Sequence, residues 1–182
     1  KKTASAPGSS APGRRLASLD SLLITDIDNT LLGDDEALVH LKEIVRENRD
    51  HMGFGVASGR ALELVVQALD ENGIDSIDVV IAAVGSEIYY GHNHTADKGW
   101  ASRLRSRWRP DRIRGSLEKL PFLTLQRGDH TQKEFKISYD LDDSVPADEA
   151  IPQIHEALVQ AKAAYSLIFS HGAFVDILPH RA

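Results

Sequence analysis

The alternation of apolar runs with amphipathic segments in the first half of the chain constrains the fold most. Three apolar runs have the length of buried strands: 22–25, 53–57 and 79–82. The first two are each followed by a segment with apolar residues at helical spacing, at about 37–45 and 60–71. This strand–helix–strand–helix–strand order predicts an α/β fold with a parallel sheet covered by helices.

The pattern changes after Gly91, where an α+β arrangement is predicted. An amphipathic helix is expected over about 150–161, and strand-like runs are found at 123–126, 135–139, 165–170 and 173–178. We predict a flexible linker at 1–20, the first half of the α/β core at 21–91, an inserted α+β cap domain at 92–174 and a strand returning to the core at 175–182.

The two ends of the chain predict truncation on both sides. The first residue is Lys1 rather than Met, and the first twenty residues are rich in Pro, Gly, Ser and Ala, which is typical of a linker. Ala182 follows directly after a strand-like run. We therefore expect an incomplete sheet core.

Composition excludes several classes of function. The formal net charge of -6 favours neither nucleic acid nor an anionic membrane surface as a partner. The absence of cysteine excludes a disulfide scaffold, a thiolate zinc site and a cysteine nucleophile. With no apolar run of about 20 residues to span a bilayer, a cytoplasmic protein is predicted.

The strongest chemical signal is the pair Asp26 and Asp28, which lies just after the end of the first apolar run. Ligands of parallel sheets gather beyond the carboxyl ends of the strands, where both carboxylates can approach one bound atom. One carboxylate can attack phosphorus while the other handles the proton. The plainer alternative is a strand-to-helix turn with its cap. A calcium loop is excluded, because Leu31 occupies the position of the turn glycine.

A second signal is Ser58, in the run Ser58–Gly59–Arg60 at the end of the second apolar run. A hydroxyl and the N–H groups of a helix start form a cradle for phosphate. The alternative is an ordinary helix cap. Because both polar segments follow neighbouring parallel strands, we expect them to face one site.

Together, DIDNT and the later SGR resemble the first two motifs of the haloacid dehalogenase superfamily. The resemblance implies a haloacid dehalogenase-like core with a cap domain. It implies Asp26 as nucleophile, Asp28 as general acid/base, and Thr30 and Ser58 as phosphate-binding residues. It also implies an Mg²⁺ cofactor held by Asp26 and Asp28.

A finer resemblance is to the sucrose-phosphate phosphatase family, and closer still to the phosphatase-like C-terminal domain of bacterial sucrose-phosphate synthases. The features that carry it are LLITDIDNTLLGD, GFGVASGR, VGSEIYYG, the pair Asp97 and Trp100, FKISY, and FSHG followed by DILPHRA. The resemblance implies hydrolysis of sucrose 6-phosphate. The alternative is a non-catalytic regulatory or docking domain of a synthase, with a fused or associated glycosyltransferase domain as partner.

Three further residues are candidate sugar contacts by their position in this resemblance: Glu87, Lys136 and His171. From the residues alone, Lys136 is better explained as a solvated lysine on the polar face of a strand. The superfamily also requires a lysine and a second acidic motif beyond the position of Ala182. We therefore expect the chain as given to be inactive or nearly so by itself.

Overall fold

The computed structural model describes residues 11–128, 130–180 and 182, and they form two compact units that divide after Trp100. The elements of the first unit are α1 (Ala11–Leu16), β1 (Ser21–Asp26), α2 (Asp35–Glu47), β2 (Met52–Ala57), α3 (Leu62–Glu71), β3 (Val79–Ala82), β4 (Glu87–Tyr90) and β5 (Thr95–Ala96). The helix α4 (Lys98–Arg105) spans the division.

The first unit contains a five-stranded sheet in the order β1-β2-β3-β4-β5. The strands β1, β2 and β3 are parallel, as predicted, and β4 and β5 complete the sheet as antiparallel strands. Close approach of β2 and β3 depends on Gly55, where a Cβ atom would collide with Val79. In the described residues β1 is an edge strand, and its Leu22 and Ile24 side chains are exposed.

The predicted linker at 1–20 is wrong for its described part. Residues 11–16 form the helix α1, and a side-chain methyl of Leu16 lies against Gly53 in β2. Arg15 donates to the buried carboxylate of Asp78 at 2.8 Å, and Arg49 donates to the same carboxylate at 2.8 Å. The linker was predicted from local composition, which carries no information about the contact of Arg15 with Asp78, 63 positions along the chain. Residues 1–10 lie outside the described residues.

The second unit contains α5 (Pro110–Leu117), β6 (Leu123–Leu125), β7 (Ile137–Leu141), α6 (Ala147–Gln160), β8 (Tyr165–Ser170) and β9 (Phe174–Pro179). Its four strands form an antiparallel sheet in the order β6-β7-β9-β8. Side chains of β7, β9 and α6 make its core, including the fully buried Ile137, Ile177 and Leu158. No helix of the described residues is long and apolar enough to cross a bilayer.

Two predicted boundaries differ from the structure. The strand expected to return to the core at 175–182 is wrong, because β9 pairs with β7 and β8 of the second sheet. The boundary expected after Gly91 lies instead after Trp100, because β5 extends the first sheet by pairing with β4. An apolar run predicts a strand but not the sheet that it joins.

Candidate active site

The carboxyl edge of the parallel strands brings the first candidate residues together. Asp26 is the last residue of β1 and is paired in register with Ala57, the residue before Ser58. Buried Ile27 and Leu31 anchor the loop that follows β1, while Asp28 and the exposed Thr30 stand outside the core. The apolar residues at both ends of this loop are therefore buried, and the polar residues between them are exposed at the sheet edge.

Ser58 is buried at the start of the loop that joins β2 to α3. Its Oγ accepts a hydrogen bond from the backbone N–H of Arg60 at 3.2 Å. Since a hydroxyl has one proton to donate as well as lone pairs to accept, the hydroxyl proton of Ser58 remains available to a phosphate oxygen. The local geometry fits both a helix-start turn and an anion cradle.

Arg60 is the site residue that the sequence reasoning missed. Its Nε donates to one carboxylate oxygen of Asp28 at 3.1 Å, and a terminal guanidinium nitrogen donates to the other at 2.5 Å. This two-point contact is the geometry in which arginine recognises a carboxylate or a phosphate. The signal was present in the run Ser58–Gly59–Arg60, but the partner of Arg60 lies in the other loop.

The donors present fit part of an Mg²⁺ shell. Among the described residues, the carboxylate of Asp26 has no hydrogen-bond or ionic partner, whereas both oxygens of Asp28 are held by Arg60. The same part of the chain contains no cluster of three or more acidic or histidine side chains suited to a metal. Mg²⁺ commonly binds one or two carboxylates and completes its shell with water and phosphate oxygens, and the carboxylate of Asp26 has the chemistry of such a ligand.

Glu87 lies at the same edge of the first sheet, because it pairs in register with Ala82 at the end of β3. Its carboxylate accepts a hydrogen bond from the Tyr89 hydroxyl at 2.9 Å. Burial raises the pKa of Tyr89, and the hydrogen bond to Glu87 and its negative charge raise it further. Tyr89 therefore stays protonated and keeps donating to Glu87 at neutral pH.

The other two candidate sugar contacts, Lys136 and His171, belong to the second unit. Lys136 is not the solvated lysine that its position suggested: its Nζ lies 3.3 Å from Asp176, and both side chains are largely buried. The buried Ser138 hydroxyl lies 2.5 Å from the same carboxylate. His171 is exposed in the β8–β9 turn, with its ring centroid 5.8 Å from that of Phe174.

A parallel sheet with paired aspartates after one strand and a serine after the next defines the haloacid dehalogenase-like class. A haloacid dehalogenase-like hydrolase from Bacillus subtilis shares this fold at 13% identity, with a TM-score of 0.56 over 91% of this chain and 70% of that one. Residues 19–182 match the family described as Sucrose-6F-phosphate phosphohydrolase. The chain belongs to that family.

Individual relatives agree with this assignment. The chain is similar to the sucrose-phosphatase of Synechocystis sp. PCC6803, solved with sucrose and phosphate, at 34% identity and a TM-score of 0.81 over 90% of this chain and 66% of that one. It is 28% identical to probable sucrose-phosphatase 1 of Arabidopsis thaliana over 86% of this chain. It is 25% identical to mannosylfructose-phosphate phosphatase of Agrobacterium fabrum over 88% of this chain. The chain spans 38% of the Arabidopsis protein and 64% of the Agrobacterium protein.

Proposed function

We propose that this protein is an Mg²⁺-dependent phosphatase that hydrolyses sucrose 6-phosphate to sucrose and phosphate. The observation that supports this most is the grouping of Asp26, Asp28 and Ser58 at one edge of a parallel sheet. Family membership supports a phosphohydrolase. The similar Synechocystis protein was solved with sucrose and phosphate, which supports a phosphorylated disaccharide as substrate.

The proposed reaction has two displacements at phosphorus. The free carboxylate of Asp26 attacks the phosphorus atom, the bond from phosphorus to the sugar oxygen breaks, and an aspartyl-phosphate forms. When phosphate shares the guanidinium of Arg60, one oxygen of Asp28 is freed to carry a proton, and Asp28 gives that proton to the departing sugar oxygen. Asp28 then takes a proton from water, which attacks phosphorus, so that phosphate leaves and the Asp26 carboxylate is restored.

Ser58 and Arg60 are proposed to bind the phosphoryl group. The Ser58 hydroxyl can donate to a phosphoryl oxygen, while its Oγ keeps the hydrogen bond from the Arg60 backbone. The Asp28–Arg60 ion pair is partly exposed, and such pairs are weak enough to rearrange. A phosphate can therefore share the guanidinium of Arg60 at little cost, which leaves Asp28 beside the leaving group.

Mg²⁺ bound at Asp26 would neutralise negative charge on the phosphoryl oxygens and so lower the barrier to attack by a carboxylate. The residues of this chain supply the nucleophile, the proton and the phosphate contacts. Glu87, Lys136 and His171 stay proposed contacts of the sugar. A fused or associated glycosyltransferase domain stays a proposal that rests on sequence resemblance.

The test is release of phosphate from sucrose 6-phosphate by the natural protein that contains this chain, with and without Mg²⁺. We expect Mg²⁺-dependent release that falls by more than about a thousandfold in Asp26→Asn, because the nucleophile is lost. The matched control is Asp50→Asn, an exposed carboxylate outside the site, which should keep full activity.

The outcomes also separate the competing functions. Binding of sucrose 6-phosphate without any release of phosphate, at any Mg²⁺ concentration, would exclude the enzyme and favour the regulatory or docking domain. Faster release of phosphate from mannosylfructose phosphate than from sucrose 6-phosphate would support a phosphatase with a different substrate. This comparison is included because of the similar Agrobacterium protein.

A further inference from the structure

The turn between β3 and β4 has an unusual backbone. Three successive residues, Ala83, Val84 and Gly85, have positive φ angles of 49°, 59° and 83°. Left-handed geometry suits glycine, costs energy for alanine, and is least favourable for a β-branched residue such as valine. Strain of this kind persists only where surrounding contacts enforce it, and it clusters at functional sites.

This strained turn contacts the loop Ser58–Arg60 through its backbone. The N–H of Ala83 donates to the carbonyl oxygen of Arg60 at 2.8 Å, and the N–H of Val84 donates to that of Ser58 at 3.2 Å. A methyl of Val84 lies over Gly59, 3.7 Å from the point that a Cβ atom there would occupy. Because the carbonyl groups at both ends of the loop are held, the directions of the Ser58 and Arg60 side chains are restricted.

A second set of contacts holds the turn from its other side. The indole Nε1 of Trp100 donates to the carbonyl oxygen of Gly85 at 3.0 Å. Trp100 is itself held by Asp97, whose carboxylate accepts the Trp100 backbone N–H at 2.9 Å and the Tyr90 hydroxyl at 3.0 Å. The turn is therefore fixed between the loop Ser58–Arg60 and Trp100.

We propose that the strained turn is a positioning element for catalysis and that Trp100 is the positioning residue that locks it. The turn sets the Ser58 hydroxyl for phosphate and the Arg60 guanidinium for Asp28, the proposed proton donor. This inference rests on the proposed phosphatase function for its kinetic consequence. Its structural part, restriction of the loop Ser58–Arg60, is independent of activity.

The first test compares Trp100→Phe with Trp108→Phe in the natural protein. Both changes remove a hydrogen bond from an indole to a backbone carbonyl, since Trp108 donates to Glu134 at 2.7 Å in the second unit. For Trp100→Phe we expect kcat/KM for sucrose 6-phosphate to fall about tenfold, because the proton donor is displaced. The loss with p-nitrophenyl phosphate should be smaller, because p-nitrophenolate leaves without a proton.

The ratio of kcat/KM for sucrose 6-phosphate to kcat/KM for p-nitrophenyl phosphate separates positioning from a merely structural role. Partial unfolding lowers activity on both substrates by the same factor, so an unchanged ratio in Trp100→Phe would overturn the proposal. Trp108→Phe should leave the ratio at the wild-type value. An equal change of the ratio in both variants would also contradict a specific role for Trp100.

A second variant, Val84→Gly, keeps the proposal testable if Trp100→Phe does not fold. Glycine accepts a positive φ without strain, so the melting temperature should not fall far, but the methyl over Gly59 is lost and the turn gains freedom. We expect the same change in substrate ratio. Lys162→Gly is the matched control, because Lys162 also has a positive φ, 51°, at an exposed helix end.

Hydrogen exchange of peptides covering residues 57–61 distinguishes failure of this inference from failure of the proposed function. We expect faster exchange there in Trp100→Phe and Val84→Gly than in either control. If the wild-type protein hydrolyses neither substrate, the phosphatase proposal fails, and faster exchange would still support the restriction of the loop. Unchanged exchange in both variants would overturn the positioning role whatever the activity.

Discussion

Each unit contains more than one carboxylate–cation pair, and Asp28–Arg60 in the first unit differs in burial from Asp176–Lys136 in the second. In the first unit the Asp28 and Arg60 side chains are 51% and 38% exposed. In the second unit the Asp176 and Lys136 side chains are both 12% exposed. An exposed pair contributes little stability and rearranges easily, whereas a buried carboxylate depends on its partners. The comparison indicates that Arg60 can exchange its carboxylate partner for a phosphate, whereas Lys136 and Asp176 hold each other in a fixed arrangement.

Removing the buried partner should have the largest effect on stability. In Asp176→Asn, Lys136 keeps its charge in a largely buried position but loses the ion pair with the carboxylate of Asp176. Breaking one partner of a buried pair costs about 3 to 5 kcal/mol. We expect a loss of that size in the free energy of unfolding of the second unit, measured by urea denaturation.

The control for this prediction is Asp143→Asn, an exposed carboxylate of the same unit, which should change the free energy of unfolding by less than about 0.5 kcal/mol. The double change Lys136→Met with Asp176→Leu should recover much of the loss, because apolar replacements of a buried pair are often tolerated. A loss below about 1 kcal/mol for Asp176→Asn would show that this pair behaves like the exposed one.

The exposed pair should show the opposite balance of stability and activity. Lysine keeps the positive charge at position 60 but cannot hold both oxygens of Asp28. In Arg60→Lys we therefore expect the free energy of unfolding to change by less than about 1 kcal/mol. Activity on sucrose 6-phosphate should fall about a hundredfold, the order contributed by a positioned general acid.

Substrate comparison and a control variant sharpen this prediction. The loss in Arg60→Lys should be smaller with p-nitrophenyl phosphate, whose leaving group needs no proton. Arg46→Lys, an exposed change at the end of α2, should leave both activities intact. Equal losses on the two substrates would assign Arg60 to phosphate binding alone.

The strands near the first pair could be predicted from the sequence. The structure confirms the predicted strand at 79–82 as β3, and the strand at 53–57 is β2 with one more residue. Parallel strands buried on both faces give continuous apolar runs, which are the clearest strand signal. The antiparallel pairing of β4 with β3 then extends this part of the sheet.

The second pair and the sheet around it could not be predicted in the same way. The run 174–179 has the composition of a strand that fits either sheet, and its membership depends on β7, whose Ser138 lies 38 positions before Asp176. A lysine and an aspartate so far apart give no local signal of a buried pair. Their burial became visible only through the pairing of β7 with β9.

The same limit applies to the site itself. The sequence indicated Asp26 and Ser58 because each directly follows an apolar run, and Asp28 because it lies two residues after Asp26. The role of Arg60 depends on a contact across 32 positions. The strained turn was also missed, since Ala83 and Val84 are residues that ordinarily avoid a positive φ.

The smallest expected effect concerns two tyrosines, one in each unit. Burial raises the pKa of Tyr90, and the hydrogen bond to Asp97 and its charge raise it further. Burial also raises the pKa of Tyr139; the charge of Arg114 opposes that shift, and the charge of Glu118 adds to it. An unfolded tyrosine titrates near about pH 10. The stability from each neutral tyrosine is therefore fully present below that pH and is lost as the pH rises through the folded pKa.

We therefore expect the free energy of unfolding to fall as the pH rises above about 10, measured by urea denaturation at each pH. In Tyr90→Phe the fall should be shallower, because one group with a raised folded pKa is gone. Tyr139→Phe should also make the fall shallower, because burial raises the pKa of Tyr139 as well. If the slope changed more in Tyr139→Phe than in Tyr90→Phe, burial alone, without the Asp97 partner, would dominate alkaline stability.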